Sequence, residues 1–328
     1  MEKMTDSFGR TIDYLRISLT DKCNLRCRYC MPPGGINHIP HGEILSFEEI
    51  ERLVRVMAGL GLKKIRLTGG EPLIRRDVVK LIQLLNKIPG IEEICLTTNG
   101  LLFSEMAEAL KTAGLSRVNF SLDTLNDDIF FEITGSRGVK KVIQSIQTAL
   151  ELGFPVKINC VPCEWNAAGL TDIALLAKTN PIDVRFIELM PIGCANGKKG
   201  LSSDFVLREL ESQFGKASAC AGNTPHNSPE RLFQFEGFAG KIGFISPLSH
   251  SFCANCNRVR LTSNGMLKLC LCHDDGLDVK KLLRSGESGT KLDDMLRKEI
   301  IQAIRQKPEA HTFNQKGSLS HMMTEIGG

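Results

Sequence analysis

The sequence predicts an α/β protein built on a parallel sheet. Apolar or β-branched runs alternate six times with segments that repeat apolar residues at helical spacing, and this alternation indicates parallel strands joined by right-handed crossovers. Polar motifs follow four of the six predicted strands, which is typical of the loops that carry an active site. No GxGxxG motif opens the first helix, which disfavours a doubly wound dinucleotide-binding fold. A sheet of this kind can lie open or curl into a barrel.

The predicted elements alternate in a regular order along the first part of the chain. Strands are expected near 12–19, 64–68, 93–98, 117–122, 155–161 and 183–189. Helices are expected at 46–60, 77–88, 104–113, 139–152 and 167–179. The first of these helices begins with Ser46 followed three residues later by Glu49, the pattern of a capping box.

The pattern changes after about residue 192. Short strands are expected at 231–236, 241–245, 257–262 and 266–271, and one amphipathic helix at 289–306. Ser263-Asn264-Gly265 between the last two strands predicts a hairpin turn. We therefore expect two parts, a larger one over 1–192 and a smaller C-terminal one over 193–328.

Composition restricts the classes of function. The chain has 328 residues, of which 42% are hydrophobic and 24% charged, and it contains neither a long apolar segment nor a secretory signal. We therefore expect a cytoplasmic protein that does not bind a membrane. A formal net charge of +4 gives little support for a nucleic-acid partner. Twelve cysteines in a reducing compartment indicate metal or redox chemistry instead of disulfides.

The four polar motifs all follow predicted strands directly. They are Cys23-x3-Cys27-x2-Cys30, the GGEP segment 69–72, the TTNG segment 97–100 and the SLD segment 121–123. Turn formation alone can explain any one Gly-Gly or Asn-Gly pair. Four motifs at the carboxyl ends of parallel strands predict a single shared site.

The first cysteine group favours an iron–sulfur cluster. A structural zinc site would need a fourth ligand, and neither His38 nor His41 lies at a familiar spacing. Three closely spaced thiolates can hold three corners of a [4Fe–4S] cluster and leave one iron open. CxxxCxxC with Tyr29 before the last cysteine is similar to the signature of radical S-adenosylmethionine (SAM) enzymes, and the GGEP segment resembles the one that holds the SAM amino group.

A second cysteine group lies near the C-terminus. Cys253-x2-Cys256-x13-Cys270, with Cys272 two residues further on, has the spacing of metal ligands. A four-thiolate zinc ribbon is an alternative, although the last pair is C-x-C and not C-x2-C.

The surrounding sequence resembles one family, the GTP 3′,8-cyclases of molybdenum cofactor biosynthesis. The likeness extends nearly from end to end and includes Ile326-Gly327-Gly328 at the terminus. In that family Phe usually stands where this chain has Cys272, which leaves open whether Cys272 competes with Cys270 as a ligand. The matching segments are 13–18 (DYLRIS), 20–24 (TDKCN), 66–73 (RLTGGEPL), 185–191 (RFIELMP) and 252–260 (FCANCNRVR).

The resemblance implies a partial (β/α)6 barrel of the TIM type, closed by a smaller C-terminal β-rich layer with helices. Two [4Fe–4S] clusters would lie at opposite ends of one cavity, bound by Cys23, Cys27 and Cys30 and by Cys253, Cys256 and Cys270. SAM would contact Tyr29, Gly70, Ser121 and Met190, and GTP would contact Arg16, Arg66, Thr97, Lys157, Arg258, Val259 and Arg260.

The resemblance also implies a reaction and its partners. A SAM-derived radical would remove the hydrogen at ribose C3′ of GTP, and the C3′ radical would attack guanine C8 to give 3′,8-cyclo-7,8-dihydro-GTP. A low-potential electron donor would reduce the enzyme, and a separate cyclic pyranopterin monophosphate synthase would use the product. A homodimer is expected. Gly327 and Gly328 would thread back toward the active site, where only residues without side chains fit.

Charged residues within the predicted strands support a polyphosphate ligand independently. Arg16, Arg66 and Lys157 interrupt strands that should be almost wholly apolar, and a buried cation needs an anion. Arg258 and Arg260 project from one face of a strand and suit phosphate oxygens. The alternative is internal ion pairs with Glu71, Asp123 or Glu188. Arg185 is left out of the contacts, because strand alternation prevents Arg185 and Glu188 from both facing inward.

Two other functions remain open at this point. One is a radical SAM enzyme that modifies a peptide and carries an auxiliary cluster, although a basic cavity disfavours a peptide groove. The other is a zinc-binding interaction module. Iron and zinc content after anaerobic purification would separate them.

Overall fold

The computed structural model describes residues 3–32, 34–220, 229–313 and 322–327. Its strands are β1 (Tyr14–Ser18), β2 (Lys64–Thr68), β3 (Glu93–Thr98), β4 (Arg117–Ser121), β5 (Val156–Cys160), β6 (Asp183–Ile187), β7 (Ser218–Ala219), β8 (Arg231–Gln234), β9 (Ile242–Ile245), β10 (Arg258–Leu261), β11 (Met266–Lys268) and β12 (Gly276–Asp278). Within these residues, all the strands belong to one sheet in the order β12-β11-β10-β1-β2-β3-β4-β5-β6-β9-β8-β7.

The central part of the sheet is parallel, as predicted. Strands β1 to β6 pair in sequence order, β10 pairs parallel to β1, and β9 pairs parallel to β6. The remaining strands pair antiparallel at the two edges. Because the strand order has two ends among the described residues, the sheet is an open, partial barrel.

The helices cover the sheet between the parallel strands. The first one begins with the predicted capping box, in which the Ser46 hydroxyl accepts from the Glu49 amide and the Glu49 carboxylate accepts from the Ser46 amide. The part of the chain described here holds no helix long and apolar enough to cross a membrane. The helices are α1 (Phe47–Ala58), α2 (Val78–Asn86), α3 (Phe103–Thr112), α4 (Asp127–Thr134), α5 (Val139–Glu151), α6 (Leu170–Thr179), α7 (Ser203–Phe214), α8 (Val279–Leu283), α9 (Gly289–Arg305) and α10 (Met323–Ile326).

The C-terminal strands extend the barrel sheet and do not form a separate layer. β9 joins one edge of the six-stranded core and β10 joins the other. The predicted hairpin is confirmed, since β10 and β11 pair antiparallel around the turn at 263–265. Helices α4 and α7 were not predicted.

Strand register places the two cysteine groups at opposite ends of the sheet. Tyr14 at the start of β1 pairs with Arg258 at the start of β10, so the two strands run level. The first group follows the carboxyl end of β1, whereas Cys253 and Cys256 precede the amino end of β10. Cys270 follows β11, which runs back to that same end. A five-residue strand spans roughly 16 Å, enough to separate two sites around one nucleotide.

Candidate active site

A single cavity of about 690 Å³ runs along the concave side of the sheet. It takes side chains from the parallel strands and from the loops at both of their ends. Most of the predicted site residues therefore lie around one space, as the strand-end motifs indicated. The predicted residues that line it are Arg16, Cys23, Cys27, Tyr29, Cys30, Arg66, Gly70, Thr97, Ser121, Lys157, Met190, Cys253, Cys256, Arg258, Arg260 and Cys270.

Three predicted residues are placed differently. The Val259 side chain is buried in the hydrophobic core, because it alternates with Arg258 and Arg260 along β10. Any contact of Val259 with a ligand is therefore restricted to its main chain. Gly328 lies outside the described residues. Gly327 is buried beside the sheet and is treated next.

The C-terminal tail returns to the carboxyl ends of the first two strands. The Gly327 carbonyl accepts a hydrogen bond of 2.6 Å from Arg260 Nη1. Its φ is +71°, and a Cβ there would lie 3.0 Å from Thr68 Cγ2 and 3.2 Å from Ser18 Cβ. Gly327 therefore needs both the conformation and the small size of glycine.

The first cysteine loop is clamped to the GGEP segment. The amide of Gly70 donates to the Thr20 carbonyl at 2.6 Å, and the amide of Glu71 donates to the Lys22 carbonyl at 2.8 Å. A Cβ on Gly70 would lie 2.2 Å from that Lys22 carbonyl oxygen. The absence of a side chain therefore allows the two backbones to touch immediately before Cys23.

The three thiols of this loop are a donor set that suits an iron–sulfur cluster. Burial raises the pKa values of Cys23 and Cys27 and raises that of Cys30 to about 12, so binding must replace the thiol protons with metal. Among the described residues, no three His, Cys, Asp or Glu side chains are grouped closely enough for one metal ion. A cubane cluster is wider than one ion and spreads its thiolate ligands.

Tyr29 is fixed by a buried carboxylate at the end of β4. Its hydroxyl donates to Asp123 Oδ2 at 2.7 Å, and the Val161 amide donates to Asp123 Oδ1 at 2.8 Å. Burial raises the pKa of Asp123 to about 6, although both hydrogen bonds oppose the shift. Asp123 thereby ties the aromatic residue of the cysteine motif to the carboxyl ends of β4 and β5.

Glu71 connects the GGEP segment to the end of β3. Its carboxylate accepts from the Thr98 hydroxyl at 2.8 Å and from the Asn99 and Leu73 amides at 2.8 and 3.1 Å. Burial raises the pKa of Glu71 to about 7 in spite of these donors. Hydrogen bonds thus join three of the strand-end motifs: the first cysteine loop, the GGEP segment and the TTNG segment.

At the opposite end, Cys272 lines the cavity together with Cys253, Cys256 and Cys270, and its sulfur contacts Thr312. The Thr312 amide donates to Cys272 Sγ at 3.3 Å, and the Thr312 hydroxyl lies 3.5 Å from it. Burial alone would raise the pKa of Cys256, but the positive charges of Arg258 and Lys307 outweigh it and lower that pKa. Of the four cysteines at this end, Cys272 is the one whose sulfur is contacted by Thr312.

One wall of the cavity concentrates positive charge. Burial first, and then the charges of Arg16 and Arg258, lower the pKa of Arg260 well below its usual value. Arg66 donates to the Tyr14 hydroxyl at 2.5 Å. Within the described residues, no carboxylate lies at salt-bridge distance from Arg66, Arg258 or Arg260, and Arg258 Nη2 has no hydrogen-bond partner. This wall, formed by β10, β1 and β2, suits a bound polyanion.

On the facing wall, basic and acidic side chains form ion pairs that neutralise one another. Lys157 Nζ lies 2.6 Å from Glu230 and 3.1 Å from Asp183, and Arg185 Nη1 lies 3.2 Å from Glu230. Burial alone would raise the pKa of Glu230, but Arg185 and Lys157 together lower it to about 2. Lys157 is therefore ion-paired, but not with any of the three carboxylates that the sequence suggested.

The alternation argument about Arg185 is wrong. Arg185 and Glu188 both line the cavity, because β6 ends at Ile187 and the two-residue period stops there. Glu188 is held by the amides of Leu248 and Ser249. Arg185 is thus a cavity residue that the sequence reasoning missed.

Other cavity residues were also missed. Tyr14 and Asn119 occupy inward positions on predicted strands, so their polarity within apolar runs was an available signal. Glu230 gave no such signal, since it precedes a short strand whose place in the sheet is set by long-range pairing.

This chain is similar to known proteins over nearly its whole length. Residues 17–163 match the radical SAM superfamily, and residues 182–313 match the family described as Molybdenum Cofactor Synthesis C. The chain is 47% identical to the GTP 3′,8-cyclase of Clostridium perfringens strain SM101 over 99% of its length and 100% of that protein. It is 46% identical to that of Desulforamulus reducens, again over 99% of this chain and 100% of the relative.

Solved structures show the same fold at low identity. Streptococcus suis SuiB bound to S-adenosylmethionine superposes with a TM-score of 0.62 at 18% identity, covering 91% of this chain and 69% of that one. This likeness concerns the fold alone, and it supports the open barrel described above.

Proposed function

The chain belongs to the GTP 3′,8-cyclase family, and from this premise we propose which of its residues bind substrate, SAM and two clusters. It is a radical SAM enzyme of the first step of molybdenum cofactor biosynthesis. The reaction converts GTP to (8S)-3′,8-cyclo-7,8-dihydroguanosine 5′-triphosphate. We assign the enzyme to the lyases.

We propose that Cys23, Cys27 and Cys30 hold the first [4Fe–4S] cluster. Their thiol-only donor set and their place at the carboxyl ends of the strands support this assignment. When bound and reduced, the cluster and SAM supply the radical that abstracts hydrogen from the substrate ribose. SAM is held by Tyr29, Gly70, Ser121 and Met190, which line the same end of the cavity.

The observation that carries the substrate assignment is the uncompensated charge of the wall formed by β10, β1 and β2. The buried Arg66 and the partly buried Arg258 and Arg260 have no carboxylate partner among the described residues, and withdrawing unpaired cations from water is costly. A triphosphate removes this cost, because its oxygens accept paired hydrogen bonds from guanidinium forks. We assign the phosphates to Arg16, Arg66, Arg258 and Arg260, with Thr97 and Lys157 as further contacts.

We propose that a second [4Fe–4S] cluster is held by Cys253, Cys256 and Cys270 at the amino ends of the strands. The contacts of the Cys272 sulfur with Thr312 support Cys270 as the third ligand. The guanine then lies toward this cluster, with the ribose between the two ends of the cavity. The strand length of roughly 16 Å is compatible with this arrangement.

The reaction also needs partners. A low-potential donor supplies electrons, and a cyclic pyranopterin monophosphate synthase consumes the product. A homodimer is proposed on the family resemblance. Gly327 and Gly328 complete the active site, an assignment supported by the contact of Gly327 with Arg260.

The two alternatives from the sequence lose support at this point. A peptide-modifying enzyme would not account for full-length relatives at 47% identity that are GTP 3′,8-cyclases. A zinc-binding interaction module would not account for the match to the radical SAM superfamily.

The test is turnover of the reconstituted enzyme. The anaerobic, reduced protein is incubated with SAM and GTP, and 5′-deoxyadenosine and the cyclised nucleotide are quantified by mass spectrometry. We expect roughly eight irons per chain and equal amounts of the two products. Arg260→Gln should lose turnover, whereas Arg284→Gln on the exposed surface should not. If GTP neither binds nor stimulates formation of 5′-deoxyadenosine, the substrate assignment fails.

A further inference from the structure

Two buried cations lie behind the second cysteine group. Arg10 is 8% exposed and donates to three carbonyl oxygens, those of Cys253 at 2.8 Å, Glu309 at 2.7 Å and Pro308 at 2.6 Å. Its Nε donates to Asp6 Oδ2 at 2.5 Å. A single guanidinium therefore ties the first cysteine of this group to the segment that follows α9.

Lys307 makes the corresponding connection to the other ligand segment. It is 3% exposed, and its ammonium donates to the carbonyls of Arg258, at 3.0 Å, and Leu269. Arg258 follows Cys256 by two residues, and Leu269 immediately precedes Cys270. Lys307 thus fixes the distance between the two chain segments that carry these cysteines.

The N-terminal turn is built to hold Arg10 in place. Asp6 Oδ1 accepts from the amides of Phe8 and Arg10, both at 2.9 Å, and Thr5 and Thr11 form a β-bridge around the turn. The turn leads directly into β1, which pairs with β10. The Asp6 carboxylate therefore holds both the backbone amide and the guanidinium of Arg10.

The charge of Lys307 has no carboxylate partner among the described residues. Burial of such a cation is costly unless an anion lies near it. Three thiolates outweigh the positive charge of the core of an oxidised iron–sulfur cluster, so the assembled site is anionic. Arg10 is already paired with Asp6, so Lys307 is the cation of the two that offsets the charge of this site.

We propose that Arg10 and Lys307 are positioning residues of the second cluster, which hold its two ligand segments at a fixed separation, and that the unpaired charge of Lys307 also raises its reduction potential. This inference rests on the proposed function, because it assumes that Cys253, Cys256 and Cys270 bind a cluster. Positive charge near a cluster favours its reduced, more negative state, and potential depends on net charge and hydrogen bonding. Neither residue touches the substrate in this proposal.

The experiment compares two variants with matched controls. Arg10→Gln and Lys307→Met remove the buried cations, whereas Arg284→Gln and Lys111→Met remove exposed cations that also donate to backbone carbonyls. Each protein is reconstituted anaerobically and assayed for iron, for the reduction potential of both clusters by EPR-monitored titration, and for SAM cleavage without GTP. The first cluster serves as an internal reference.

We expect Arg10→Gln to fall from roughly eight to roughly four irons per chain, with GTP-independent SAM cleavage within twofold of wild type. Lys307→Met should keep its second cluster at a lower potential, with the first cluster unchanged. Wild-type iron content and potential in both variants would overturn the inference. If Arg10→Gln does not fold, Asp6→Asn is used instead, because it removes the carboxylate that anchors Arg10. An unchanged iron content in that variant would likewise count against the inference. A wild-type protein with only about four irons would instead refute the proposed second cluster.

Discussion

Replacement of Gly70 by alanine tests the contact between the GGEP segment and the first cysteine loop. The added Cβ would lie 2.2 Å from the Lys22 carbonyl oxygen and 2.8 Å from that of Asp21. Both obstacles are backbone atoms, so no side chain can rotate away. The two segments must separate by at least about 1.2 Å, from 2.2 to 3.4 Å, to restore an ordinary van der Waals distance. This displacement acts directly on Cys23 and on the residues assigned to SAM.

The expected effect on chemistry is larger than the effect on stability. Overpacking of this kind costs about 1–3 kcal/mol, a few degrees in melting temperature. Misplacement of reacting groups by about 1 Å costs roughly 100-fold in rate. We therefore expect Gly70→Ala to fold, to bind SAM more weakly, and to form 5′-deoxyadenosine about 100-fold more slowly.

Gly34→Ala is the matched control, because it lies just after the same cysteine loop and its Cβ would meet nothing within 4 Å. The assay is formation of 5′-deoxyadenosine by reduced, reconstituted protein, with SAM affinity measured by equilibrium dialysis. A rate for Gly70→Ala within threefold of that for Gly34→Ala would refute the reasoning that the close backbone contact sets the geometry of the site.

Three further predictions follow from the cavity. Glu230 has a folded-state pKa of about 2, against a usual 4.5, because the charges of Arg185 and Lys157 outweigh the effect of burial. Its ion pairs therefore stabilise the fold above pH 4.5. This stability is lost as the pH falls from about 4.5 to about 2. The melting temperature of the apoprotein should therefore fall less across that window in Glu230→Gln than in the wild type. An equal fall would contradict the pairing. Cys272→Ala should keep roughly eight irons per chain and Cys270→Ala should keep roughly four, and the reverse result would exchange their roles. Deletion of the last two residues should leave the iron content unchanged but abolish formation of the cyclised nucleotide, and full activity would refute their role.

Sequence patterns alone were sufficient to predict the six parallel strands at the core of the fold. Each of the six barrel strands lies where an apolar run predicted it, because the strand face that packs against the helices must be apolar. The position of the motifs at the strand ends was equally informative, since carboxyl ends of parallel strands meet at one edge. Both inferences depend on local patterns only.

The C-terminal strands illustrate what local patterns do not contain. β9 and β10 were predicted as strands, but they join opposite edges of the sheet although they are neighbours in sequence. Edge choice depends on pairing between residues far apart in the chain, such as Tyr14 with Arg258. Glu230 was missed for the same reason, because its proximity to Lys157 follows from the pairing of β8 with β9 and of β9 with β6.

The arrangement of charge around the cavity assigns unequal roles to its basic residues. The sequence analysis listed both Lys157 and Arg258 as GTP contacts. In the structure, however, Lys157 Nζ already lies 2.6 Å from Glu230 and 3.1 Å from Asp183. A phosphate that reaches Lys157 must therefore displace or share an existing ion pair, which offsets much of the gain. Arg258 has no carboxylate partner among the described residues, so a phosphate there gains its full attraction. We therefore expect the affinity for the triphosphate to reside mainly in the wall formed by β10, β1 and β2.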